Sequence, residues 1–156
     1  LGSIQSPENA FLLNLGLETL HLRMKRHCEN AQTVAEFLSS DPRVAWVNYA
    51  GLPTDKDHAL AGKYLPDGGC GVIAFGLKGT REDAIRFMDS LKMICIVTQV
   101  ADSRSCVLHP ASQTHRQLSD SQLSEAGVTP DLIRLSVGTE HIDDIIEDLK
   151  QALDTI

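Results

Sequence analysis

With 156 residues, of which 42% are hydrophobic, the chain has enough apolar material for one sizeable core without covalent staples. A formal net charge of −7, with Lys and Arg neither dominant nor clustered, argues against nucleic acid as a partner, and no apolar run is long enough to cross a bilayer. The four cysteines, Cys28, Cys70, Cys95 and Cys106, form neither a CxxC pair nor a metal array, so buried or partly buried thiols in a reducing cytoplasm are expected in preference to a disulfide scaffold.

Residues 1–5 read as a cloning remnant or the tail of an upstream region, after which Ser6-Pro7 has the order of an N-cap and a first helical residue. The apolar or small positions Leu13, Leu17, Leu20, Met24, Ala31, Ala35 and Leu38 recur at helical spacing, a stripe expected to be buried against a sheet, and Gly16 is expected to divide this stretch into a short helix and a longer one. Asp41-Pro42 stops the helix. A strand follows over Val44–Tyr49, then a turn and a short helix within GLPTDKDHALAGKYL. GGCG at Gly68–Gly71 lacks the spacing of a phosphate loop and reads as a tight entrance to a buried strand ending at Leu77.

Thr80–Asp83 should cap a helix with Ala84, Phe87, Met88 and Leu91 on its apolar face, and a short strand is expected over Ile94–Val97. A brief helix over Asp120–Ala126 ends at Gly127 and Pro130, before a strand centred on Ile133, Leu135 and Val137. The final helix is the clearest, with Ile142, Ile145, Ile146, Leu149, Leu153 and Ile156 on one face and acidic residues in its first turns. No repeat or linker interrupts this alternation, so one mixed α/β unit is predicted.

The chemistry-bearing residues gather late, in CVLHPASQTHRQL at Cys106–Leu118 and in the strand that carries Arg134. An arginine held on a strand can grip a carboxylate through its planar fork. His109 and His115 lack a third and fourth metal ligand, and HPASQTH is more turn-like than a metal-binding helix. His109 beside Pro110 is expected to organise a loop through its two ring nitrogens, with Ser112, Thr114 and His115 serving nearby backbone groups. His21, His27, His58 and His141 read as surface or supporting residues.

SPENAFLLNLGLETLHLRMKRHCENA, YAGLP, CVLHPASQTHRQL and AGVTPDLIRLSVGTEHIDDIIEDLKQAL occur in an order that strongly resembles the carboxyl-terminal domain of O-acetylhomoserine sulfhydrylases. These belong to the pyridoxal-phosphate-dependent enzymes of cysteine and methionine metabolism, and the resemblance covers nearly the whole chain. It implies the small domain of a fold-type-I transferase over residues 1–156. That domain would comprise a linking helix at its start and a mainly antiparallel sheet packed with helices. The large cofactor-binding domain that precedes it in the family is absent from this chain.

The resemblance further implies that the parent is a cytoplasmic homotetramer of methionine biosynthesis. It would use pyridoxal 5'-phosphate to convert O-acetyl-L-homoserine and sulfide, or a small thiol, to homocysteine or a thioether and acetate. Arg134 would hold the substrate α-carboxylate and Ser105 would lie in the adjoining active-site segment. None of Lys25, Lys56, Lys63, Lys78, Lys92 and Lys150 stands in the family's cofactor-lysine context, so no cofactor is expected on this chain and it should be inactive alone.

Three positions depart from the pattern: Ala101 where glycine is common, Cys106 where leucine follows the serine, and Gln113 where threonine is usual. A cystathionine gamma-synthase or methionine gamma-lyase would share the carboxylate grip but differ in leaving group or nucleophile. A non-catalytic regulatory or assembly domain is the remaining reading, in which the amphipathic helices serve a partner surface.

Overall fold

The computed structural model describes residues 2–156; Leu1 and the expectation attached to it lie outside them. The chain opens with helices α1 (Pro7–Glu18) and α2 (Leu20–Ser40), then β1 (Val44–Asn48), α3 (His58–Tyr64) and β2 (Val72–Leu77). It continues through α4 (Arg81–Asp89), β3 (Cys95–Ile96), β4 (Cys106–Leu108), α5 (Asp120–Glu125), β5 (Leu132–Ser136) and α6 (Ile142–Leu153). Among the described residues, five strands form one sheet in the order β1-β2-β5-β4-β3, antiparallel throughout except for the β3–β4 pair. This is the expected α/β unit with a mainly antiparallel sheet. Among the described residues, no helix is long and apolar enough to cross a membrane.

The period of two along β2 and β5 separates two chemistries. Ile73, Phe75 and Leu77 pair with or neighbour Ile133 and Leu135, and all five side chains are buried in the core. Ala31, Val34, Ala35 and Leu38 of α2, Ala84, Phe87 and Met88 of α4, and Ile145, Leu149 and Leu153 of α6 complete that core. Phe75 and Phe87 meet edge to face, 5.9 Å between ring centroids, which favours one packing over its alternatives. The intervening residues, including Ala74, Arg134 and Ser136, stand on the opposite face of the sheet.

Asp148, buried at the centre of α6, ties that helix to the entrance of β3. Its carboxylate accepts from the backbone N–H groups of Lys92, Met93 and Ile94, each at 2.9 Å. Three otherwise orphaned donors are satisfied by one side chain, and these fix where β3 begins. At the start of α4, Thr80 and Asp83 form a reciprocal capping box, as the sequence indicated.

Several expectations are corrected. The first helix divides at Thr19 and not at Gly16, because the Arg23 side chain folds back to the Gly16 carbonyl and the Thr19 hydroxyl, leaving Gly16 helical and Thr19 outside helical geometry. Of the predicted stripe, Ala31, Ala35 and Leu38 are buried, but Leu13 and Leu17 are 60% and 59% exposed, because the sheet reaches only the second half of α2. Cys106 is buried and Cys28 half-buried, as expected, whereas Cys70 and Cys95 are exposed; all four are free thiols. The strand β4 was not anticipated, since three residues between a serine and a His-Pro pair carry too short a pattern to read.

Candidate functional site

Alternation along β5 aims Arg134 away from the core while Ile133 and Leu135 enter it. Ala74 of β2 lies opposite Arg134 on one side and Leu108 of β4 on the other. The guanidinium therefore rises from the middle of the sheet, flanked by apolar side chains. It sits at the edge of a recess of about 460 Å³ also lined by Thr98, Leu108, Thr114, His115 and Leu132. A charge-assisted pair formed here would gain from the planar fork of the guanidinium and its two-point geometry.

Arg134 is incompletely satisfied. Its Nη2 donates to the Gln99 carbonyl at 3.1 Å, while Nε is buried and has no hydrogen-bond partner among the described residues. A buried donor left unpaired costs about 1–3 kcal/mol, and native structures keep few of them. The side chain thus presents a fixed positive charge with unspent donors beside a recess.

Ser105 lies just before β4 and is fully buried. Its hydroxyl donates to Glu140 Oε2 at 3.0 Å and accepts from the Gly138 N–H at 2.8 Å, while its backbone N–H donates to Glu140 Oε1 at 2.6 Å. Asn30 of α2 donates to the carbonyls of Gly138 and Glu140, and His27 donates through Nδ1 to the Val137 carbonyl at 2.7 Å. These contacts lock the chain that follows β5 against both β4 and α2. Gly138 is required there, since a Cβ would collide with Glu140 and the Ser105 backbone.

Ser105 thus stands just before β4 and Arg134 within its neighbour β5, but Ser105 does not line the recess and its hydroxyl is already engaged. Glu140 is the contributor that the sequence reading missed. Its only signal was an acidic residue in the turn before the last helix, and such residues are ordinarily solvated.

His109 is buried with both ring nitrogens engaged. Nε2 is 2.8 Å from the Pro130 carbonyl and Nδ1 is 2.8 Å from the Ser112 hydroxyl. A carbonyl only accepts, so Nε2 carries the proton and Nδ1 accepts from Ser112, which defines a neutral tautomer. Burial pushes the imidazole below its usual value and outweighs the opposing hydrogen bond to Pro130. His109 therefore pins the loop after β4 to the loop before β5.

The other loop residues divide the work differently from the sequence expectation. The His109 backbone N–H is served by Gln113 Oε1 at 3.1 Å, so the departure at position 113 supplies the backbone acceptor. Thr114 and His115 pair with each other at 2.9 Å, at the margin of the recess.

Comparison with known proteins finds relatives along nearly the whole chain. Residues 1–154 match the family described as Cys/Met metabolism PLP-dependent enzyme. An O-acetyl-L-homoserine sulfhydrylase of Leptospira meyeri is 48% identical over 100% of the chain, and a homocysteine synthase of Schizosaccharomyces pombe is 46% identical over 99%. A crystal structure from Campylobacter jejuni, assigned as an O-acetylhomoserine (thiol)-lyase and carrying a pyridoxyl-lysine monophosphate, superposes with a TM-score of 0.90 at 43% identity over 98% of the chain. In all three the chain spans 36% of the relative's own length.

Proposed function

The chain belongs to the Cys/Met metabolism family of pyridoxal-phosphate-dependent enzymes, and we propose that it is the carboxyl-terminal, substrate-carboxylate-binding part of an O-acetylhomoserine sulfhydrylase. The parent reaction in this reading joins O-acetyl-L-homoserine and sulfide, or a small thiol, to give homocysteine or a thioether and acetate. The observation that carries it is Arg134, a strand-borne cation at the edge of a recess whose Nε has no hydrogen-bond partner among the described residues. The names of the similar proteins support the choice of substrate and nucleophile.

The residues present suit the amino acid and not the cofactor itself. No lysine lines the recess, so among the described residues nothing there offers the amine that an aldehyde needs for covalent attachment. Pyridoxal phosphate, bound by the rest of the parent, supplies the electron withdrawal that makes the substrate's α and β protons acidic.

This chain's share is geometric. Arg134 accepts the α-carboxylate on its fork and fixes the amino acid's orientation, converting translational freedom into a reactive alignment. Leu108 and Leu132 give the recess apolar walls beside the guanidinium. Ser105 and Glu140 hold β4 and the end of β5 in register, and neutral His109 fixes the loop that frames the recess. A homotetrameric, cytoplasmic parent is part of the same proposal, as is the inactivity of the 156-residue chain by itself.

The test is Arg134→Ala in the full-length enzyme. Loss of a charge-assisted carboxylate pair is worth about 1.5–3 kcal/mol, so kcat/KM for O-acetylhomoserine should fall by roughly 10- to 150-fold or more. Unchanged kinetics would overturn the role. Product analysis with sulfide, cysteine and methionine identifies the nucleophile, and release of methanethiol from methionine without sulfide transfer would overturn the sulfhydrylase assignment.

A further inference from the structure

The carbonyl of Gln99 gathers three donors from the open face of the sheet. Arg134 Nη2 lies at 3.1 Å, Cys106 Sγ at 3.2 Å and the Ser136 hydroxyl at 3.3 Å. The register explains the convergence: Arg134 and Ser136 are two apart on β5, and Cys106 of β4 is the ladder partner of Ser136. The chain between β3 and β4 folds over that face and presents one carbonyl to all three.

The same segment is secured further along. Thr139 donates to the Ser103 carbonyl through its N–H at 2.8 Å and its hydroxyl at 3.1 Å. Asp102 accepts from the backbone and side chain of Arg104, which holds its carboxyl below the usual range. Between these anchors Ala101 sits at φ 64, the left-handed region that a Cβ disfavours. A shape that keeps a strained alanine is one that its surroundings dictate.

We propose that residues 97–104 form a strap that aims Arg134, and that Ser136 is the positioning residue which holds it; this rests on the carboxylate reading above. A carbonyl has two lone pairs, and the guanidinium is its strongest donor while a thiol is a weak one. The neutral hydroxyl of Ser136 is then what keeps the Gln99 peptide turned toward Arg134 between substrate molecules. With that hydroxyl gone, only the weak Cys106 thiol remains beside Arg134 on the Gln99 carbonyl, the peptide is held less firmly, and the fork meets an incoming carboxylate in poorer alignment.

The experiment uses the full-length, cofactor-loaded enzyme and reads the change in cofactor absorbance on titration with two ligands. L-norleucine carries the α-carboxylate and no γ leaving group; n-pentylamine is the same molecule without the carboxylate. Ser136→Ala should weaken L-norleucine by about 3- to 10-fold, the worth of one neutral hydrogen bond, and leave n-pentylamine unchanged. Equal loss for both ligands, or loss for neither, overturns the positioning role. Arg134→Ala run alongside separates the two claims. If it discriminates between the ligands and Ser136→Ala does not, the strap fails and the carboxylate site stands; if Arg134→Ala does not discriminate, both fall.

Discussion

The two faces of β5 differ by one residue in sequence and by everything in environment. Ile133 and Leu135 are completely buried in the core cluster that also holds residues of α2, α4 and α6. Arg134 and Ser136, between and beyond them, meet a strap, a recess and an unpaired donor. The core face is finished by the fold's own packing, whereas the opposite face retains polar capacity that folding does not consume. A strand that bears both can hold a charge rigidly without asking that charge to contribute to stability.

The contrast breaks most visibly on the core side. Leu135→Ala deletes a fully buried side chain in the central strand and should destabilise the protein by about 2–5 kcal/mol, measured by denaturant unfolding. A loss under about 1 kcal/mol would mean that the sheet face is not the organising core. Arg134→Met should act in the opposite sense. Replacing a half-paired cation with an apolar chain of comparable length removes the orphaned Nε, so unfolding stability should stay within about 1 kcal/mol of the parent or rise, while amino-acid binding is lost. A substantial fall in stability would show that Arg134 is a structural residue.

The smallest effect concerns His109, which pins the loop after β4 to the loop before β5. Its folded value is depressed, so below about pH 6.5 the unfolded chain binds a proton that the folded one resists. The contribution of the neutral ring is complete above that pH, fades as pH falls toward the lower folded value, and changes no further beneath it. His109→Gln should flatten stability against pH across that window; an unaltered slope would place the titrating group elsewhere.

The long final helix and the strand before it were legible because their patterns are strong. Ile142, Ile145, Leu149 and Leu153 repeat at helical spacing, and Ile133 and Leu135 alternate around Arg134. The loop role of His109 could be framed from its neighbour Pro110, but its partners could not: Pro130 is distant in sequence, and Gln113 looked like a mere departure. β4 was missed because three residues carry no period and its existence depends on strands on either side of it. The exposed leucines of α1 mark the reverse error, in which periodicity was read correctly and burial was inferred from it.

The sequence by itself determined the mixed α/β class, the amphipathic helices, the face on which Arg134 would stand and the family, because local periodicity and ordered motifs are carried by neighbouring residues. Tertiary structure alone decided that Glu140 secures Ser105 and that Gln99 offers its carbonyl to Arg134. Those contacts join residues tens of positions apart, and their energies depend on distances, burial and competing donors that exist only once the sheet has formed.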